Sequence, residues 1–282
     1  MPERYDFVRE EVILHELSSR GRVTVNDLAV RLGVSTVTIR KDLDSLESRS
    51  LLRRVRGGAV VPSAGEEGAF SERLRLDSGI KREIARLVAL RVNDGDVIAI
   101  DSSTTSYYLA QELVDRRDLM VVTFGMRTAA LFMDHSNATV VMPGGVLRRA
   151  SGSMVGAFSN ILEGRGRIGK GFFGVATLSH HLGLLELSSE EAETKKSLIR
   201  ACDAVYASFT SSKIDSFGLH PFAAPDEITE MFTDEHAPDD FVKQWQTNGV
   251  PVNRVAGTGV LLDDGKRAIS QTGATTTLAV NE

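Results

Sequence analysis

Between Val23 and Ser48 apolar residues recur at helical spacing on both sides of one glycine, Gly33, with room between the two runs only for a tight turn. Val25, Leu28, Ala29 and Leu32 fall at i, i+3, i+4 and i+7, so they share one face of a short helix that Thr24 can cap and Gly33 can stop. Ser35 is placed to cap the next helix, where Ile39, Leu43 and Leu46 form the inward stripe. At about 100° per residue the opposite face carries Val37, Thr38, Lys41 and Ser45, with Arg40 on its flank. Upstream, Arg4 to Arg20 contains few helix breakers and sets Val8, Val12, Ile13, Leu14 and Leu17 on a broad apolar face that ends at Gly21.

After Ser50 the run LLRRVRGGAVVP reads as two short strands around Gly57-Gly58, with Arg53, Arg54 and Arg56 close together. Helix, turn, helix and basic hairpin make a winged helix-turn-helix, whose second helix suits the major groove of double-stranded DNA. Ser35, Thr36, Val37, Thr38, Arg40, Lys41 and Ser45 are then expected to meet the duplex from that helix. Arg53, Arg54 and Arg56 are expected to track its backbone from the wing. The net charge of −5 argues against a polyanionic partner if taken alone. Its distribution argues the other way: residues 31–62 hold 7 Lys and Arg against 3 Asp and Glu. A protein-interaction module with a basic rim would share the helices; the basic hairpin favours DNA.

A length of 282 residues with 42% hydrophobic content suits two unequal domains. The composition shifts to Pro, Ser, Gly and acidic residues between Val61 and Ser78. The expected division is a DNA-binding domain at 1–62, a linker at 63–78, an α/β domain at 79–255 and a Gly- and Thr-rich tail at 256–282, weakly ordered or forming a small hairpin. Apolar strand-like runs at 97–100, 119–123, 139–142, 172–176 and 204–208 alternate with helical patterns around Tyr108 and Leu131 and from Ser189 to Cys202. That alternation predicts a mainly parallel sheet covered by helices.

The first of these strands runs into Asp101-Ser102-Ser103-Thr104-Thr105 and then a helix. Backbone N–H groups, aligned dipoles and hydroxyls at a strand's carboxyl end can receive an anion, whereas a merely capped helix needs only one of those hydroxyls. Gly144-Gly145, past another strand, is either a tight turn or a close approach to ligand, with Arg148 within reach of a charged group. Lone Cys202 reads as buried filling, His180-His181 as surface residues, and Glu191 with Lys195 as a helix-face pair. The single cysteine excludes an internal disulfide framework and fits a reducing cytoplasm. No Cys and His cluster has metal-ligand spacing, so neither a metal nor a cofactor is expected. The N-terminal MPERYDFVREEV mixes charges of both signs without a long apolar run, which predicts neither a signal peptide nor a membrane span.

Residues 23–60, VTVNDLAVRLGVSTVTIRKDLDSLESRSLLRRVRGGAV, closely resemble the helix-turn-helix signature of the DeoR family of bacterial sugar-catabolism regulators. The resemblance continues to about residue 255. It implies a sensor domain similar in fold to ribose-5-phosphate isomerase and glucosamine-6-phosphate deaminase, and a repressor released from its operator by a phosphorylated intermediate. In such sensors an Asp-x-Gly-Thr-Thr sequence holds the ligand phosphate; this chain has Ser103 in place of the glycine. Where Gly-x-Asp-Gly is common it has Gly174-Val175-Ala176-Thr177, where an Asp precedes the late Lys213 by three residues it has Thr210, and where an Asn is common after Thr123 it has Phe124. The effector site implied comprises Asp101 through Thr105, Thr123, Phe124, Gly144, Gly145, Arg148 and Lys213.

Ala176 cannot move a proton, so no catalytic residue is expected. The favoured reading is a regulator responding to a phosphorylated or otherwise anionic metabolite that is not the usual hexose phosphate. A sugar-phosphate isomerase-like enzyme and a DNA-binding regulator without an effector stay open. Because one winged helix buries little surface, a homodimer or homotetramer reading paired half-sites is expected.

Overall fold

The computed structural model describes residues 9–10, 12–14, 16–17, 20–48, 52–60, 70–156, 167–214, 216, 218–256, 261–262 and 268–269. The chain divides into two compact units, Met1–Glu67 and Gly68–Glu282.

In the first unit the predicted helices form as α1 (Val25–Leu32) and α2 (Thr36–Ser48). Thr24 caps α1, its hydroxyl accepting from the Asp27 N–H at 3.1 Å, and Gly33 ends it in the left-handed region at φ 65°. The Ser35 hydroxyl accepts from the Thr38 N–H at 3.1 Å, so the cap of α2 is also as expected. Ile39, Leu43 and Leu46 are completely buried, as are Ile13 and Leu17, and Leu28 is nearly so. Val8, expected on the upstream helix, lies outside the described residues. Arg9 locks that helix to α2 through a two-pronged pair with Asp42 at 2.6 and 2.8 Å.

The wing has three strands where two were expected: β1 (Arg22–Thr24), β2 (Arg53–Val55) and β3 (Gly58–Val60), antiparallel in the order β1-β3-β2. The turn is Arg56-Gly57, with Gly57 at φ 80°; Gly58 is already strand. A side chain at Gly58 would place its Cβ 2.0 Å from the Val23 carbonyl, so that glycine lets β1 close on β3.

The second unit opens with α3 (Phe70–Arg75), inside the segment expected to be linker. Phe70 is the reason: it is buried, meets Tyr107 edge-on at 5.6 Å and carries the Arg127 guanidinium 4.3 Å above its ring. Then follow α4 (Ser78–Ala89), β4 (Val97–Ile100), α5 (Thr104–Leu113), β5 (Met120–Thr123), α6 (Met126–His135), β6 (Thr139–Val141) and a small hairpin, β7 (Val146–Leu147) with β8 (Met154–Val155). After residues outside the description come β9 (Ile168–Phe173), β10 (Thr177–Ser179), β11 (Gly183–Glu186), α7 (Ser189–Ile199), β12 (Cys202–Ser208), β13 (His220–Ala223), β14 (Glu230–Asp234), α8 (Asp239–Thr247), β15 (Val252–Val255), β16 (Leu261–Leu262) and β17 (Ala268–Ile269).

Seven parallel strands run in the order β6-β5-β4-β9-β12-β14-β15, and β16 and β17 extend the sheet antiparallel as the small hairpin anticipated for the tail. Both faces are buried, and alternate residues divide between them. Ile98, Ile100, Phe172, Tyr206 and Phe232 pack with α4 and α5, while Ala99, Phe173, Val205, Ala207 and Met231 pack with α7 and α8. A second, antiparallel sheet of β10, β11 and β13 lies beside α7. From β4 the chain builds outward through β5 to β6, then returns to build the other way from β9. The carboxyl ends of β4 and β9 therefore flank the point where strand order reverses, where open α/β sheets bind ligands.

Gly58→Ala should loosen the wing by about 1–3 kcal/mol, because backbone rather than a flexible side chain meets the new methyl. Hydrogen exchange checks it: amides of β1 and β3 should exchange faster while those of β4 and β9 keep their protection.

Candidate functional site

On α2 the groups expected to meet DNA stand outward. Val37 is 57% exposed, Arg40, Lys41 and Ser45 are exposed, and Thr36 and Thr38 are partly so. The Thr38 hydroxyl shares a 2.9 Å hydrogen bond with Ser35. In the wing Arg53 and Arg56 are exposed, but Arg54 is not a free arm. Its Nε donates to Asp44 at 2.9 Å, its terminal nitrogen to the Gly58 carbonyl at 2.9 Å, and its backbone N–H to Glu47 at 2.7 Å. Arg54 thus ties the wing to α2, its guanidinium offsetting Asp44 and its backbone N–H holding Glu47, so its side chain is engaged within the protein where a phosphate contact is expected from the sequence.

In the second unit one cleft gathers only part of the expected effector site. Ser103, Thr104, Thr105 and Lys213 line it. Ser103 caps α5, accepting from the Ser106 N–H at 3.1 Å, at φ −71°. That conformation suits any L residue, so serine in place of glycine introduces no backbone strain here. Its side chain instead takes space beside Gly174, where an added Cβ would lie 2.3 Å from the Ser103 hydroxyl.

The remaining predicted residues belong elsewhere. Asp101 is fully buried, with its carboxylate accepting from the N–H groups of Ser103 at 2.9 Å and Gly174 at 2.8 Å and pairing with Lys195 at 2.8 Å. Burial raises its pKa, but the Lys195 charge and these hydrogen bonds outweigh that and hold it below the usual carboxylate range. Ser102 is buried outside the cleft lining. Thr123 accepts from the Gly125 N–H at 3.1 Å, and Phe124 is wholly buried in the core rather than on a pocket wall. Gly145 is needed by the hairpin, since a Cβ there would come 2.4 Å from the Val155 carbonyl; Gly144 beside it is exposed and off the cleft. Arg148 pairs with Glu191, which also accepts from the Ser153 hydroxyl at 2.5 Å. Glu191 and Lys195 are accordingly buried, each with a partner from another element, and not the helix-face pair with one another expected from their spacing.

Sequence reasoning missed the cations on the opposite wall. Arg73, Leu76, Asp77 and Lys81 come from α3, α4 and their junction. Lys81 is buried; its ammonium donates to the Arg73 and Leu76 carbonyls, both at 2.6 Å, which leaves one of three donors. Burial, followed by the charge of nearby Lys213, pushes its pKa down to about 8. Its only sequence signal is a lysine among the apolar positions of α4. Thr177 donates to the Lys213 carbonyl at 3.0 Å and so anchors the turn that carries that lysine. Ser208, 3% exposed, ends β12 at the cleft with no hydrogen-bond partner for its hydroxyl. The cleft, about 70 Å³, thus offers a helix N-terminus, hydroxyls and ammonium groups, a donor set complementary to an anion. Among the described residues no group of three His, Cys, Asp or Glu could hold a metal, and no helix is long and apolar enough to cross a membrane. His180 and His181 are exposed, and Cys202 is buried with its thiol pushed up to about 12.

Two outcomes are expected. With a mixed-sequence duplex, Arg56→Ala should flatten the slope of log affinity against log salt by about 1, the loss of one phosphate contact. Arg54→Ala should weaken binding with the slope unchanged, and adding Asp44→Asn should restore part of the loss. Second, a bound anion favours protonated Lys81, so sulfate affinity should fall as pH rises through 8, by up to about tenfold per unit, and stay flat in Lys81→Arg. Because the folded pKa lies below the unfolded value of 10.5, the unfolded chain holds more protons between pH 8 and 10.5, and this group's contribution makes stability rise with pH across that window.

Residues 9–64 match the DeoR-like helix-turn-helix domain and residues 77–235 the DeoR C terminal sensor domain. The chain is 30% identical to the HTH-type transcriptional repressor GlcR of Bacillus subtilis, over 87% of this chain and 95% of that protein. It is 26% identical to the glycerol-3-phosphate regulon repressor of Escherichia coli, over 82% and 91%, and 28% identical to the L-fucose operon activator of Haemophilus influenzae, over 86% and 97%. Among solved structures, ribose 5 phosphate isomerase A from Neisseria gonorrhoeae aligns at 15% identity and a TM-score of 0.37, over 48% of this chain and about half of that one. With both domain signatures in their expected order and the regulators matched along nearly their whole length, the chain belongs to the DeoR family of DNA-binding transcriptional regulators.

Proposed function

We propose that this chain represses a carbohydrate-catabolism operon and is released from operator DNA when a small phosphorylated metabolite enters the cleft at the β4–β9 switch point. Ser35, Thr36, Val37, Thr38, Arg40, Lys41 and Ser45 read or grip the duplex from α2, and Arg53 and Arg56 hold its backbone. Ser103, Thr104, Thr105, Lys81, Arg73 and Lys213 take the anion. The carrying observation is the convergence of Lys81 and Lys213 on the N-terminus of α5, in a cleft where Asp77 is the single carboxylate among the described residues. Similarity to a glycerol-3-phosphate regulon repressor and an L-fucose operon activator supports a carbohydrate operon.

The cleft binds without turnover. Proton transfer between sugar carbons needs a free carboxylate at the substrate, but Ala176 stands at one expected position and Thr210 at another. Asp101, Glu186 and Glu191 are held in buried ion pairs. The protein acts in the cytoplasm, as a homodimer or homotetramer reading paired half-sites. Metabolite weakens DNA binding only through different affinities for DNA-bound and released states, and operator weakens metabolite binding by the same factor.

Footprinting the DNA upstream of the gene and its neighbours, with and without phosphorylated metabolites, tests this reading. Protection should fall on two half-sites about one helical turn apart, or a multiple of that, and fade as the metabolite is added. Replacing Arg40 and Lys41 together by Ala should abolish the footprint while sulfate still raises the melting temperature of the sensor unit. Undiminished protection by that variant would remove α2 from the docking surface.

A further inference from the structure

We propose that Ser208 is a ligand contact of the cleft, its hydroxyl donating to an oxygen of the bound phosphate group. This rests on the anion-binding reading above and adds to it a residue from outside the α5 turn and the lysines.

Sheet position aims the side chain. Along β12 alternate residues turn to opposite faces, and Tyr206 turns toward α4 and α5, stacking on Phe172 at 5.1 Å. Ser208, two residues on, takes the same face where β12 ends and lines the cleft with Thr104, Thr105 and Lys213. Its neighbours on that face are aromatic: Tyr206 in its own strand and Phe232 opposite it in β14. A serine in that row gives up apolar packing, and the fold offers its hydroxyl nothing in return. The hydroxyl is buried, and no group of the protein hydrogen-bonds to it. A buried hydroxyl left unpaired costs stability, and an ionised oxygen placed beside it removes that cost. Other hydroxyls of the cleft are engaged already, Ser103 with Ser106 at 3.0 Å and Thr210 with Ser212 at 2.7 Å.

Size points the same way. A space of about 70 Å³ admits about five water-sized atoms, the number of heavy atoms in one phosphate. A group of that size at the N-terminus of α5 fills the cleft and so meets the end of β12. Thr233 supplies the contrast. Its hydroxyl is also buried and unpaired, but it shares the face of Met231, toward α7 and α8, and does not line the cleft. Position, rather than the missing bond alone, marks Ser208 as the contact.

Titrating the full chain with inorganic phosphate, read as the rise in melting temperature, tests the assignment. Ser208→Ala should weaken phosphate binding about tenfold, the loss of one hydrogen bond to a charged group, without lowering the melting temperature of the free protein. Ser208→Cys keeps the shape of the side chain but donates only weakly, and should lose affinity in the same way. Thr233→Val should raise the melting temperature of the free protein and leave phosphate affinity as it was. Equal affinity in the unaltered chain and Ser208→Ala overturns the role of Ser208 and leaves the anion site standing. A matching loss in Thr233→Val overturns it too, because the effect then belongs to the sheet and not to the contact. If the unaltered chain binds no phosphate, the anion-binding reading falls and this inference with it.

Discussion

A lysine without access to water, Lys195, joins the two strand ends between which the cleft opens. From α7 its ammonium reaches Asp101 after β4, Glu186 at the end of β11 and the Gly174 carbonyl after β9. Burial alone would lower its pKa; the two carboxylates outweigh burial and hold the pKa above its ordinary value. Asp101 passes the constraint on, because its oxygens also fix the N–H groups of Ser103 and Gly174. The cap of α5 and the loop beyond β9 are thus set against one another by a single charged group. Removing one partner of such a cluster leaves a buried charge uncompensated, typically a loss of about 3–5 kcal/mol. Glu186 absorbs the surplus of acid: burial raises its pKa, and the neighbouring Glu191 and Asp101 charges add to that.

The DNA-reading unit meets a related problem in the open. Its recognition helix carries Asp42, Asp44 and Glu47, carboxylates that would face a polyanion unfavourably if left alone. Arg9 turns Asp42 inward, and Arg54 engages the other two while bridging to β3. Arg40, Lys41, Arg53 and Arg56 stand exposed on this helix and the wing, so an acidic chain carries exposed basic groups on this unit. Net charge misleads here because the relevant quantity is the local distribution of charge.

That division also explains which features were legible from sequence. The helix-turn-helix follows from Thr24, Gly33, Ser35 and the Ile39-Leu43-Leu46 stripe, local signals that each fix one bond or one face. The strands at Val97–Ile100 and Cys202–Ser208 follow from apolar runs, since a parallel sheet buried on both faces needs little else. Partner choice across sequence distance was not legible. Glu191 and Lys195 have the spacing of a helix-face pair, yet tertiary packing buries both, and Arg148 leaves its expected ligand role to meet Glu191. The motif places Phe124 and Asp101 near the ligand, while both are fully buried in the structure. Phe70 and Lys81 were invisible for the converse reason: each sits in a polar-looking stretch and gains its meaning from Tyr107 or Lys213, more than thirty residues away.

The positions of the missed cations bear on how a metabolite can act. Arg73, Leu76, Asp77 and Lys81 lie on the first two helices described after the DNA-reading unit, and the junction between those helices holds Asp77 at φ 51°. An L residue in the left-handed region is a modest strain, tolerated here because Lys81 clamps the carbonyls of Arg73 and Leu76 on either side. Lys81 keeps one donor for an anion, on the same ammonium that holds the α3–α4 junction. On the proposed reading the ammonium that meets the metabolite is the one that fixes this junction, so ligand charge and local backbone geometry are coupled without a long relay.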